Sequence, residues 1–206
     1  MNIIFPEKIN NRSIVVLGAP RTGSTAFCYA LSEKFMIENC NEVFNPWNAK
    51  KDYRIKRFWN NFNLGTKNII KIFPRHDISQ EDFERAITDS FVISLRRRNL
   101  VEQIGSFYLL QVTKKAKYYQ GQNPKDNWTI DISKNRLKKS IEMIISDIKL
   151  ATEREKYADM ILYYEDIMPE LVNQIIKPYP KPTNYLELLE IIQQLLPLYL
   201  EGDISF

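Results

Sequence analysis

Apolar positions along the chain form two kinds of pattern. Ile14 to Leu17, Asn68 to Phe73 and Phe91 to Leu95 are short, nearly unbroken apolar runs rich in β-branched residues, and Met160 to Tyr164 is a fourth. Runs of this kind read as strands buried on both faces. Asn41 to Phe44, ending at Asn45-Pro46, is a shorter strand candidate. Between the strands, apolar residues recur at helical spacing. One helix runs from Thr25 to about Met36 with Phe27, Ala30 and Leu31 on one face. Ser79-Gln-Glu-Asp82 is a capping box that opens a second helix, to about Thr88. Asn99 starts a third, with Ile104, Tyr108 and Val112 on one side, reaching about Tyr118. Ser133 caps a fourth, in which Leu137, Ile141, Ile144, Ile145 and Ile148 recur to about Tyr157, and Tyr185 to Tyr199 is a fifth. Trp47 to Asn63 is polar, basic and aromatic, as suits a helix and loop over the mouth of a site.

Alternating strands and helices predict an α/β fold: a single domain over residues 1–206, with a parallel sheet and helices on both faces. In such a sheet ligands bind at the carboxyl ends of the strands. That rule singles out Gly18 to Thr25, Asn45-Pro46, Pro74 to Asp77, Arg96 to Asn99 and Glu165-Asp166.

Composition narrows the classes. The chain is 44% hydrophobic and 26% charged, with no apolar run long enough for a membrane span. The net charge of +4, from 29 basic and 25 acidic residues, does not call for a nucleic-acid partner. The first residues, MNIIFPEKINNR, lack the pattern of an export signal, so the expected location is cytoplasmic and Cys28 and Cys40 are expected to be thiols. His76 is the only histidine, which leaves no His-rich metal site, and no metal is expected.

The segment Gly18-Ala-Pro-Arg-Thr-Gly-Ser-Thr25 joins the first strand to the first helix. Its glycines have the spacing of the P-loop pattern GxxxxGK[ST], in which backbone N–H groups and a helix N-terminus surround phosphate. A cation (Arg21) and three hydroxyls (Thr22, Ser24 and Thr25) crowd into the turn. Ser24 stands where an ATP-binding loop has Lys, and the strand Phe91 to Leu95 ends in Arg96, Arg97 and Arg98 where a magnesium enzyme often has Asp. A phosphate is expected here, and a triphosphate with its magnesium fits poorly.

These residues resemble the sulfotransferases that use 3′-phosphoadenosine 5′-phosphosulfate (PAPS), whose fold is P-loop-like. Pro20 to Thr25 is similar to that family's 5′-phosphosulfate loop, and Arg98 with Ser106 has the spacing of its 3′-phosphate pair. Tyr164-Glu-Asp-Ile167 resembles a segment that ends a late strand in many members. Glu42-Val-Phe-Asn-Pro46 resembles a segment of the bacterial sugar sulfotransferases of the trehalose type. The chain departs from the family at Arg21, where cytosolic members have Lys; at Ala26 or Phe27, where they have a Trp for adenine; and after Tyr185, where the closing Gly- and Lys-containing segment is missing.

The resemblance implies sulfuryl transfer from PAPS to a hydroxyl or amine of a small-molecule or carbohydrate acceptor, releasing 3′,5′-diphosphoadenosine. Arg21, Thr22, Gly23, Ser24 and Thr25 would hold the 5′ end, and Arg98 and Ser106 the 3′-phosphate, with Arg97 as the alternative by one register step. Arg21 would also stabilise the transition state. Lys71, inside the strand before Pro74, would reach the sulfuryl group or else point into a helix layer. Glu42, on its short strand, is the candidate general base, and His76, in what reads as an exposed turn, is its rival. Two other classes stay open: a P-loop-type nucleotide or small-molecule kinase, and a degenerate, non-catalytic nucleotide-binding module.

Overall fold

A computed structural model describes residues 5–7, 9, 12–47, 50–114, 117–119, 128–171, 176–178 and 181–200. Five strands form one sheet: β1 (Ser13–Gly18), β2 (Glu38–Asn41), β3 (Asn68–Ile72), β4 (Ser90–Arg96) and β6 (Met160–Tyr163). Their order is β2-β3-β1-β4-β6 and every pairing is parallel. The expected α/β sheet, with helices on both faces, is the observed one.

The period of two along each strand divides the core. Ile14 and Val16 of β1, with Ile69, Phe91 and Ile93, face α1 (Ser24–Phe35) and pack on Phe27, Cys28 and Leu31. Burial there pushes the Cys28 thiol up to about 12, so it behaves as a small core residue. Val15 and Leu17, with Ile70, Ile72 and Val92, face the other way. They meet Phe58 of α2 (Lys51–Asn63) and Phe83 and Ala86 of α3 (Gln80–Thr88). A third apolar layer joins α4 (Leu100–Thr113), α5 (Lys134–Glu153) and α7 (Tyr185–Leu195). β1 and β4 approach so closely at the top of the sheet that a Cβ on Gly18 would stand 2.7 Å from the Leu95 carbonyl oxygen.

Local chemistry sets the helix starts. The Ser79, Asn99 and Ser133 side chains accept from the backbone N–H groups of Asp82, Glu102 and Arg136, as N-caps do. The ends differ from the sequence expectation. α4 stops at Thr113, where Lys114 turns left-handed (φ 59°), and Lys117–Tyr119 forms β5, antiparallel to β7 (Ile176–Pro178). α5 gives way at Arg154 to a 3₁₀ turn ending at Tyr157, and Tyr164 begins α6 (Tyr164–Leu171) instead of ending β6. Pro197 divides the last helix into α7 and α8 (Pro197–Leu200). The turn-rich stretch 121–131, expected to connect the third and fourth helices of the sequence reading, lies largely outside the described residues. Among the described residues, no helix is long and apolar enough to cross a membrane.

The buried Tyr108 hydroxyl ties α4 to the start of α5. It accepts from the Ser133 N–H at 2.9 Å and donates to the Asp131 carbonyl at 3.0 Å. Tyr108→Phe strands both backbone groups and is expected to cost about 1–3 kcal/mol, read as a lower urea midpoint with an unchanged slope.

Candidate functional site

The turn between β1 and α1 is held open by bonds to its carbonyls. Gln103 Nε2, on the buried side of α4, donates to the Pro20 carbonyl at 2.8 Å. Arg97 Nη1 donates to the Arg21 carbonyl at 3.1 Å, and Thr22 Oγ1 to the Ala19 carbonyl at 3.1 Å. In a planar trans peptide the following N–H points opposite its carbonyl. Anchoring the Pro20 and Arg21 carbonyls on α4 and the end of β4 therefore turns the next N–H groups away from those anchors. N–H groups turned away from the anchors in this way suit an anion. Arg21 is left-handed (φ 66°), as is Gly23 (φ 78°), and α1 starts immediately afterwards at Ser24. A Cβ on Gly23 would come within 2.1 Å of the Tyr164 ring, so this position requires glycine for both its φ and its neighbour.

The second part of the site lies beside the first turn of α1. Lys71 is central in β3, paired in register with Val16, and its side chain is 1% exposed. Its ammonium donates to Thr25 Oγ1 and to Glu42 Oε1, each at 2.7 Å. Glu42 follows β2, which ends at Asn41, so it sits on a turn and not on the short strand expected. Asn45 Nδ2 donates to Glu42 Oε2 at 2.8 Å. His76 is buried against this group and not on an exposed turn, with Nε2 3.8 Å from Glu42 Oε2. Its Nδ1 accepts from the Phe73 N–H at 3.2 Å, which leaves the Nε2 proton facing Glu42. Glu42 and His76 are therefore neighbours in one cluster and not alternatives in different places. Burial acts to raise the Glu42 pKa, but His76, the charge and hydrogen bond of Lys71, and the Asn45 amide hold it well below the ordinary carboxylate range.

The third part is the arginine run after β4. Arg96 Nε donates to Glu155 Oε1 at 2.6 Å, and Ser94 Oγ reaches the same oxygen at 2.9 Å. Arg97 lies over the Tyr164 ring. Arg98 is exposed, makes a two-pronged pair with Asp166 (2.6 and 2.7 Å), and stacks on Tyr163. Ser106 Oγ instead accepts from Arg21 Nε at 2.9 Å. The structure thus brings Ser106 to Arg21, and it gives Arg98 to a carboxylate. Burial, and then the charge of Arg97, lower the Arg21 pKa.

Of the sequence candidates, Arg21, Thr22, Gly23, Ser24 and Thr25 share the loop, with Thr22 and Ser24 buried in it, while Lys71, Glu42 and His76 share the adjoining cluster. The reading of the sequence missed Gln103, and it named Asn45 and Tyr164 only within the segments Glu42 to Pro46 and Tyr164 to Ile167, with no role for either. Gln103 carried a readable sign, a polar residue on the otherwise apolar side of α4; Asn45 and Tyr164 are placed only by folding.

No family model matches the chain, and no curated protein matches it. Among solved structures the chain is similar to a shikimate kinase from Bacteroides thetaiotaomicron, with 12% identity, 90% of this chain and 98% of that one covered, and a TM-score of 0.44. It is also similar to a structure from the PezAT chromosomal toxin-antitoxin system of Streptococcus pneumoniae, with 13% identity, 93% and 88% covered, and a TM-score of 0.39. Likeness at this level carries no argument about activity. Neither protein is described as a sulfotransferase, and no family or curated match supplies that link. The resemblance to the PAPS sulfotransferases, and the sulfuryl transfer it implied, are corrected on this finding. The geometry supplies a physical reason as well: Arg98 and Ser106, on which the 3′-phosphate grip rested, are bonded to different partners.

Proposed function

We propose that the chain is a P-loop-type transferase that holds nucleotide phosphates in the loop Gly18 to Thr25 and passes a phosphoryl group to a hydroxyl of a small molecule. The observation that carries this reading is the placement of Lys71. The P-loop pattern has its Lys where this chain has Ser24; here the ammonium arrives from β3 instead and lies 2.7 Å from Thr25 Oγ1, in the first turn of α1. A buried cation beside a helix N-terminus and an anchored loop suits the charge on a transferring phosphoryl group.

In the transfer, the acceptor oxygen bonds to the terminal phosphorus as the bridging phosphorus–oxygen bond breaks, and that bond's electron pair leaves with the nucleoside diphosphate. Glu42 takes the acceptor's proton. Its carboxylate is weakly basic while Lys71 holds it, and an incoming phosphate shares the Lys71 charge, which raises that basicity at the moment it is needed. Asn45 holds the carboxylate in place, and His76 Nε2 stands 3.8 Å from it.

The donor set does not fit a magnesium ion held by the protein. β4 ends in Arg96, and the one carboxylate at the Lys71 cluster is already bonded to Lys71 and Asn45. Among the described residues, no group of three or more His, Cys, Asp or Glu side chains is placed to hold a metal. No step is routed through one.

Calorimetry with ATP, inorganic tripolyphosphate and 3′,5′-diphosphoadenosine tests the reading. ATP and tripolyphosphate are expected to bind, and Lys71→Met to weaken both by about tenfold or more, as the loss of a charge-assisted contact does. Tighter binding of 3′,5′-diphosphoadenosine than of ATP, or no binding of any of the three, overturns it.

Glu42→Gln is expected to keep ATP affinity within about twofold and to lose most of the phosphate release from ATP, with water standing in for the acceptor. Unchanged release removes Glu42 from the role of base.

The same variant reads the pKa shift. A carboxylate held below its unfolded value adds stability above the ordinary range and loses it as pH falls toward the folded value. The parent's advantage over Glu42→Gln in urea unfolding should therefore be largest near neutral pH and should shrink below about pH 4.

A further inference from the structure

A cavity of about 320 Å³ opens at the carboxyl ends of β4 and β6, under the last turns of α5. It shares Ala19 and Thr22 with the phosphate loop, and none of Thr25, Lys71, Glu42 and His76 lines it. Its walls divide by chemistry. Leu95, Ile148 and Ala151 are apolar, and opposite chemistry comes from Arg96 and Glu155, which pair through Nε and Oε1 at 2.6 Å and through Nη2 and Oε2, with Ser94 Oγ also donating to Oε1. With Nε, one Nη2 hydrogen and Oε1 taken up within this group, the Nη1 side of the guanidinium and the remaining lone pair of Oε2 set a donor beside an acceptor, a pattern that the edge of a heteroaromatic base can match. Apolar walls with a few placed polar groups are what a small-molecule site of this size needs. Toward the loop the lining passes to Arg97, Gln103 and Thr22, all three of which donate to the loop's carbonyls.

We infer that this cavity holds the nucleoside of the phosphoryl donor, its base against Arg96 and Glu155 and its phosphates running past Arg97 onto the loop. The inference rests on the proposed reading of that loop as a nucleotide phosphate site. Strand order gives it a consequence. The cavity lies on the β4 and β6 side of β1, and Lys71 with Glu42 lies on the β3 and β2 side. Donor nucleoside and acceptor hydroxyl then approach the phosphorus from opposite sides, as an in-line displacement requires.

Two variants that fill the cavity test this on the full chain. Thr152→Trp places an indole at an exposed position of α5 on the cavity wall, where folding is not at stake, and Ala151→Phe fills the space from its buried side. The parent is expected to bind ATP about tenfold or more tightly than inorganic tripolyphosphate. Thr152→Trp is expected to abolish that preference while tripolyphosphate affinity stays within about twofold, and Ala151→Phe to do the same. ATP affinity unchanged in both variants overturns the assignment of the cavity and leaves the loop's role standing. Equal loss of both ligands also overturns it, because the substitutions then act through the loop. A parent that binds neither ligand overturns the reading of the loop, and the cavity's role with it.

Discussion

The ammonium of Lys71 lies where water does not reach, and the surrounding groups are arranged to answer it. With 1% of the side chain exposed, an unpaired charge here would cost several kcal/mol. Glu42 and the Thr25 hydroxyl supply the compensation, and in doing so they fix the relative heights of three elements. The register of β3 against β1, with Lys71 opposite Val16, sets how far up the sheet the ammonium stands. The turn after β2 has to bring Glu42 over the end of β3, and α1 has to begin at Ser24 for Thr25 to meet the same nitrogen. A slip of one residue in β3 would send Lys71 to the opposite face, among Val15, Leu17 and Phe83.

The other side of the loop is organised by donors and not by burial of a charge. Gln103 and Arg97 reach in from α4 and from the end of β4 to hold successive carbonyls, and Tyr164 closes over Gly23 from α6. Arg21 adopts a left-handed backbone that costs a non-glycine residue about a kcal/mol or more, and its side chain is anchored on Ser106. A loop fixed in this way would meet an anion without the entropic cost of ordering itself first. The arginines are not equivalent. Arg97 serves the loop, Arg96 builds the cavity wall with Glu155, and Arg98 is spent on Asp166 at the surface.

Much of this was legible in the chain itself, because the signals involved are local. Apolar runs of strand length, capping residues at Ser79, Asn99 and Ser133, and a glycine-spaced turn depend on neighbours a few residues away, and they gave the α/β sheet, most helix starts and the loop. Lys71 was visible as one charge inside an apolar run, a pattern with few explanations once the strand is buried. What the spacing could not supply was partnership. Arg98 and Ser106 stand at a suggestive separation, yet the partner of each was chosen by residues far along the chain: Asp166, 68 positions from Arg98, and Arg21, 85 positions from Ser106. The same holds for His76, whose local setting of Pro, Arg and Asp reads as surface, and which the Phe73 N–H and Glu42 draw into the interior. The sequence by itself determined the central strands, most of the helix starts and where the glycine-spaced turn begins. Only the tertiary structure decided which charges meet, since ion pairs between distant segments follow from sheet register and helix packing that no local pattern encodes.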